Sequence, residues 1–310
     1  MCRIAQLRTT QVRPDEPVPM ANFNFIQMAD PQVGMFSRFS GMDPEAAALL
    51  RKHGLNVKDA PKIEGVEQER QNLVTALEQF DEIDPAFIVV CGDMVDTAGD
   101  EEQIALIRET LGEYSSKVPV HWVAGNHDIG VNNLIPDRDS VDMYRAEFGN
   151  DYYAFNHGES KFVILDSVIL DRPQNLPDEH KAQMDFLGDT LRSRESIESE
   201  HVVAFMHHPL FLDNAEEADI DFNWAPSPPN QPSGYWTIPL ERRTPVVKLL
   251  REANVQTVFA GHWHRNHTAS DNDLDVVVTS ALGYPLGNDP SGYRVVNVND
   301  STLTHNYKQI

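Results

Sequence analysis

Cysteine is scarce in this chain: Cys2 and Cys91 are the two thiols in 310 residues. Cys2 lies in a polar N-terminal stretch and Cys91 ends an apolar run, so neither a disulfide between them nor a disulfide framework is expected, and a reducing compartment fits. Long apolar runs are also missing. No stretch approaches the ~20 residues needed to cross a bilayer, and the opening MCRIAQLRTTQVRPDEPVPM has no apolar core of the secretory kind. The expectation is a cytoplasmic protein with no membrane partner. Basic residues are the third shortage: 25 Lys and Arg stand against 48 Asp and Glu, a formal net charge of −23. Such a field repels a phosphate backbone, so no nucleic-acid partner is expected; solubility accounts for the acidic excess. What is present is ordinary for a globular chain, 41% hydrophobic and 8% aromatic, enough to build a sizeable core.

Residues 1–21 are polar and proline-bearing and read as a flexible arm. Residues 22–310 read as one domain. A strand is expected over 23–28, ending at Asp30. The segment 31–65 is irregular except for a helix over 43–53, with Pro44 in its first turn and Gly54 just past its end. The spacing of Val66, Leu73, Val74, Leu77 and Phe80 predicts a helix over 66–80. An unbroken apolar run over 87–90 suits a buried strand. A helix over 101–111 and a strand over 118–123 follow. The second half repeats the alternation less regularly, with strands over 162–165, 201–206, 255–259, 275–279 and 293–298 and helices over 180–194 and 246–253. Such alternation predicts an α/β fold. In the stretch 213–239, Trp224, Tyr235 and Trp236 sit among prolines. A segment that long without periodicity is expected to be a lid or binding loop.

Five apolar runs end in side chains that bind metals or move protons: FIQMADPQ, VVCGDMVD, VAGNHD, FMHHP and FAGHWH. Asp30 and Gln32 flank Pro31, and residues two apart in a turn can converge on one ion; Asp-Pro is also a common turn former. Asp93 follows Gly92, which lets the chain turn sharply at a strand end. Its two oxygens could bridge two metals, or it could cap a helix. Asn126 offers a neutral oxygen. His127 suits a ligand or an acid, and Asp96 and Asp128 are both placed to orient it. His207 and His208 precede Pro209; a histidine at a strand end is more often structural than a ligand. His262 and His264 are two apart across Trp263, so in an extended chain they project the same way. Each run taken alone has an ordinary explanation. Together, every one falls at the carboxyl end of an expected strand, where open α/β sheets bind ligands. Two carboxylates, an amide pair and several histidines make a ligand set for two divalent metals, which can drive phosphate ester hydrolysis.

These residues resemble the calcineurin-like metallophosphoesterase superfamily, whose pattern is D-x-H, G-D-x-x-D, G-N-H-D/E, H-x-P and G-H-x-H in that order. The chain carries Gly92-Asp93-x-x-Asp96, Gly125-Asn126-His127-Asp128, His207-x-Pro209 and Gly261-His262-x-His264. It departs at Gln32, where histidine is usual. A branch of the superfamily that includes a proposed serine/threonine phosphatase has Asp-Pro-Gln here, and the tail VVVTSALGYPLGNDPSGYRVV also looks like that branch. The resemblance implies a four-layer α/β sandwich, two mixed β-sheets flanked by helices. It implies one metal at Asp30, Gln32, Asp93 and His264 and a second at Asp93, Asn126, His207 and His262, with Asp93 bridging. The ions would be divalent or trivalent, drawn from manganese, iron, zinc or magnesium, and the amide oxygen of Gln32 favours harder ions. A metal-bound hydroxide would attack phosphorus, with His127 as general acid oriented by Asp96. The implied substrates are phosphomonoesters, small molecules or phosphoproteins. Phosphoprotein phosphatases of the superfamily follow the second aspartate with Arg-Gly, whereas Thr97-Ala98 stands here. Arg265 is one substitute for that arginine, or else a surface residue. A phosphodiesterase for cyclic nucleotides or small diesters is the alternative enzyme, and a non-catalytic metal-binding scaffold the alternative outside enzymes.

Overall fold

The structure, a computed structural model, describes residues 22–131, 135–219, 234–299 and 302–310. The expected arm over 1–21 lies outside the described residues, as does 220–233 of the expected lid, Trp224 included.

The apolar runs form the strands of two mixed sheets. The first has the order Thr302–Gln309, Gly292–Asn299, Phe23–Met28, Ile88–Cys91, Val120–Val123. Its last three strands are parallel, and the pair before them is antiparallel. The second has the order His267–Asp271, Leu274–Val278, Thr257–Ala260, His201–Phe205, Ser160–Ile164, Tyr153–His157, parallel through its four central strands. Buried on both faces, the central parallel strands carry apolar side chains at successive positions, as in IVVC and TVFA.

Alternation along each strand assigns the faces. Phe25, Phe87, Val89 and Val123 of the first sheet meet Phe162, Ile164, Phe205 and Phe259 of the second in one buried cluster. Its rings interlock, with Phe25 stacked on Phe87 at 4.7 Å and edge-on to Phe162 at 5.6 Å. The opposite face of the first sheet, Ile26, Ile88 and Val90, is covered by Leu73 and Phe80 of helix Glu67–Ile83 and by Leu106 and Leu111 of helix Glu101–Tyr114. The outer face of the second, Val202, Ala204, Val258 and Val276, is covered by Leu187 and Leu191 of helix Pro177–Leu191 and by Val246 and Leu250 of helix Leu240–Glu252. Helix, sheet, sheet, helix is the four-layer arrangement expected.

Differences from the sequence expectation have local causes. The helix expected over 43–53 runs Pro44–Lys52, capped by Asp43 accepting from the N–H groups of Glu45 and Ala46. The helix expected from 246 begins at Leu240 and carries Pro245 inside it. Pro245 deletes one backbone bond of the helix, and Glu241, whose carbonyl loses that bond, is exposed to water. The short helices Met35–Phe39, Asn126–Ile129 and Ser167–Asp171 follow strand ends and were not expected. Helix Arg138–Phe148 and the strands Tyr153–His157, His267–Asp271 and Thr302–Gln309 were also missed. Those three strands lie at sheet edges, and polar sequences such as TLTHNYKQ hold them mainly through backbone pairing.

Candidate metal centre

The parallel strands of both sheets end on the same edge, and the five motifs lie in the loops that follow them. Backbone bonds tie those loops together: Asp30 N donates to Gly92 O at 3.1 Å, Gln32 N to Asp93 O at 2.8 Å and Gly261 N to His207 O at 2.9 Å. The loops turn so tightly that Asp30, Gln32, Asp93, His262 and His264 all adopt positive φ, between 36° and 68°. Such conformations cost free energy in residues with a Cβ and persist where the surroundings hold them, commonly at functional sites. Gly92, at φ 81°, lies against the His207 ring, which any Cβ there would overlap. At Gly261 a Cβ would come within 2.5 Å of Asp30 Oδ2.

Two groups of ligand atoms result. Asp30, Asp93 and His264 are buried with their ligand atoms within 4.8 Å of one another, and His264 Nε2 is 3.2 Å from Asp30 Oδ1. Gln32 stands beside them with its Oε1 buried and unpartnered. In the second group His207 Nε2 lies 3.0 Å from Asn126 Oδ1, 3.2 Å from His262 Nδ1 and 3.3 Å from Asp93 Oδ2. Asp93 therefore stands in both groups. All seven residues expected as ligands come together.

Each of the three histidines has its far nitrogen on a backbone carbonyl. His207 Nδ1 donates to Cys91 O at 2.9 Å, His264 Nδ1 to Tyr284 O at 2.7 Å and His262 Nε2 to Tyr235 O at 3.0 Å. A carbonyl only accepts, so the bonded nitrogen carries the hydrogen and the other turns into the ligand cluster, towards Asp93 for His207, Asp30 for His264 and His207 Nε2 for His262, as in metal-ligating histidines. His208 differs. Ser167 Oγ accepts from the backbone N–H of both His207 and His208, so its own hydrogen goes to His208 Nδ1 at 2.9 Å. His208 Nε2 then carries a hydrogen in the metal-free pocket, which sets His208 apart from the expected ligands even though a nitrogen of its ring lies within 4.8 Å of those of His207 and His262.

The electrostatics of the metal-free pocket follow from burial and these neighbours. Burial opposes charge on His207, but Asp93 beside it and Asp30 beyond push its pKa up to about 9. His264 is raised against the same opposition by Asp30. His262 and His208 stay neutral, lowered by burial and by the charge of neighbouring histidines. Burial works against the Asp93 carboxylate, yet His207 and His127 hold it well below the usual range.

His127 is oriented by the residue expected but through a different atom. Its Nδ1 donates to the backbone carbonyl of Asp96 at 2.7 Å, and the Asp96 carboxylate stands off at 3.7 Å. That carboxylate is engaged by Arg38 Nη1 at 3.0 Å and Gln32 Nε2 at 3.3 Å. Asp128 does not orient His127. It accepts from the N–H groups of Met94, Val95 and Gly125 and clamps two motif loops to each other. Arg265 is not a phosphate ligand either. Its guanidinium is committed to the carbonyls of Trp263, Gly54 and Leu286 and stacks on Trp263. The arginine beside the site is Arg38, six residues after Gln32 and outside every motif, so no spacing rule points to it.

A cavity of about 340 Å³ opens on this centre. Gln32, Asp93, His127, His262 and His264 line it together with the apolar side chains of Met35, Phe39, Met42, Leu50 and Leu55. Tyr235 and Trp236, from the described end of the expected lid, also line it.

The family model described as calcineurin-like phosphoesterase matches residues 23–266, which hold all five motifs. The chain belongs to the calcineurin-like phosphoesterase family. The serine/threonine-protein phosphatase CPPED1 of Danio rerio is 30% identical to it over 296 residues, 93% of this chain and 85% of that protein. Its Homo sapiens counterpart is 30% identical over 291 residues, 92% of this chain and 83% of that one. Among solved structures, a dimetal phosphatase from Danio rerio superposes with a TM-score of 0.53 at 16% identity, covering 91% of this chain and 98% of that one. A purple acid phosphatase from yellow lupin (Lupinus luteus) seeds superposes with a TM-score of 0.58 at 13% identity. It matches 93% of this chain, which spans 52% of that enzyme. At such identities the structures show the fold. This calcineurin-like phosphoesterase is a metal-dependent hydrolase of phosphate esters. The two ligand groups, the orphaned Gln32 oxygen and the carbonyl-bound histidines suit the dinuclear centre of its family.

Proposed function

We propose that this phosphoesterase hydrolyses phosphomonoesters, including phosphorylated serine and threonine in proteins. Its metals would lie at Asp30, Gln32, Asp93 and His264 and at Asp93, Asn126, His207 and His262. The observation that carries the assignment is Asp93, whose buried carboxylate belongs to one ligand group and lies 3.3 Å from His207 of the other. The phosphoprotein reading is supported by relatives named serine/threonine-protein phosphatase along most of this chain.

When bound, the metal pair supplies Lewis acidity to the phosphoryl oxygens and to the attacking water. The chain's residues supply the rest. Asp93 accepts the backbone N–H of His127 at 2.8 Å, so the acid and the central carboxylate move as one unit. With Nδ1 fixed on the Asp96 carbonyl, Nε2 of His127 is the nitrogen left for the substrate. The ester P–O bond breaks as the water oxygen joins phosphorus; the departing alkoxide takes the Nε2 proton of the His127 imidazolium, and of the two protons of the water one returns to that nitrogen and the other stays on the phosphate. Gln32 gives the first metal position a neutral oxygen in place of an imidazole, which favours manganese or magnesium there.

The test is metal content together with paired rates on a phosphoserine peptide and on a small diester. Two ions per chain and a faster monoester rate are expected, and Asp93→Ala should lose or misplace both ions. A faster diester rate would move the assignment to a phosphodiesterase, and full retention of both ions by Asp93→Ala would remove the bridging role.

A further inference from the structure

We propose that Arg38 binds a phosphoryl oxygen of the substrate, taking the place of the arginine absent after Asp96. The inference rests on the phosphomonoesterase reading and adds a substrate contact to it. Among the described residues lining the cavity, Arg38 is the one lysine or arginine. A dianionic ester entering a chain of net charge −23 meets little other fixed positive charge from side chains. Arg38 is also held in place. Its Nη1 donates to Asp96 Oδ1 at 3.0 Å, while its side chain keeps 53% exposure and lines the cavity. That same carboxylate oxygen lies 3.7 Å from His127 Nδ1, so Arg38 and the acid flank one carboxylate. Tyr235, whose carbonyl accepts from His262, lies within electrostatic reach of both Arg38 and Asp93.

The short helix Met35–Phe39 that carries Arg38 is itself braced. Glu69, 1% exposed, accepts from Gly34 N at 3.0 Å and Phe36 N at 2.9 Å. Phe36 and Phe39 pack on Tyr284 with ring centroids 4.9 and 5.6 Å away. A guanidinium has five N–H donors in a planar fork. One nitrogen can stay on Asp96 while the others bind two phosphoryl oxygens, the geometry for which arginine is suited. A monoester offers one more charged oxygen than a diester. Arg38 on that oxygen would therefore discriminate between the two.

The experiment compares wild-type protein, Arg38→Ala and Arg38→Lys, all metal-loaded. Inorganic phosphate binding is measured by calorimetry, and kcat and KM on phenyl phosphate and on a phenyl diester. Loss of a charge-assisted contact should weaken phosphate binding by roughly ten- to hundredfold in Arg38→Ala and raise KM for the monoester by a similar factor. The diester should suffer much less, Arg38→Lys should fall between, and added guanidinium should restore part of the monoester rate. A purely structural brace for Asp96 predicts the reverse: phosphate affinity within about twofold of wild type, equal losses on both esters and no rescue. That pattern would overturn the proposal. If the wild type lacks monoester activity, the parent reading fails, and phosphate calorimetry still decides the role of Arg38. Should Arg38→Ala not fold, the same comparison rests on Arg38→Lys.

Discussion

His207 and Asp93 are fully buried partners, Nε2 to Oδ2 at 3.3 Å, and they make the metal-free protein sensitive to alkali. Burial alone would remove the proton from His207, but Asp93 and then Asp30 push its pKa up to about 9. In the unfolded chain an imidazole titrates near 6.5. The folded value exceeds the unfolded one, so the stabilisation is complete below pH about 6.5 and is lost as pH rises through about 9. That interval, at about 1.4 kcal/mol per pH unit, corresponds to about 3 kcal/mol, a large share of the stability of an ordinary domain. His264, raised by Asp30 against its burial, adds in the same direction. Urea unfolding of chelated protein from about pH 6 to about pH 9.5 should show a decline of that size. Metal-loaded protein should not show it, because the ion takes the proton's place. Its affinity should instead climb by roughly tenfold per pH unit for each proton displaced. Asp93→Asn should lose most of the His207 part of the slope, since the larger of the charges that hold its proton is gone while Asp30 remains. A flat curve for chelated wild-type protein, or an unchanged slope in Asp93→Asn, would refute the reasoning.

His127→Ala should keep metals and fold but lose about 10²–10⁴-fold on alkyl phosphates and far less on p-nitrophenyl phosphate; equal losses on both would remove the general-acid role. Asp96→Asn should cost much less, because the Asp96 group that fixes His127 is its backbone carbonyl at 2.7 Å, which the substitution leaves in place; a loss matching His127→Ala would contradict this. Gln32→His should retain activity and change the affinity order among manganese, iron and zinc, so an unchanged order in metal titrations would argue against Gln32 as a ligand. Gly92→Ala places a Cβ on the His207 ring at φ 81°. It should lose about 1–2 kcal/mol to the backbone alone, lose more to the displaced ring, and reduce metal occupancy; wild-type melting and metal content together would sink that account.

Much of the centre was legible because its residues follow apolar runs at strand ends, where sequence order and spatial position coincide. Asp30, Asp93, Asn126, His207, His262 and His264 all had that signature, and the buried orphan oxygen of Gln32 answers to the Asp-Pro-Gln departure. The outer helices were legible in the sequence, and the starts at Glu67 and Glu101 came within a residue, but two others begin earlier than expected, where Pro177 opens one helix and Pro245 lies inside another. The edge strands Tyr153–His157 and Thr302–Gln309 escaped because exposed pairing leaves little apolar alternation to read.

Sequence by itself determined the chemistry: which side chains end the strands, in what order, and therefore that they suit a metal centre and phosphate ester hydrolysis. Folding alone decided how those side chains are used. The hydrogens of His207, His262 and His264 are set by carbonyls of Cys91, Tyr235 and Tyr284, and His208 is withdrawn from the ligand set by Ser167, 41 residues away. Arg265 is spent on packing, while Arg38 reaches the cavity because Glu69 and Tyr284 hold its helix there. Motif residues are local in sequence, but a donor, an acceptor or a free charge is a relation between distant segments. That relation exists only once the two sheets have closed on each other.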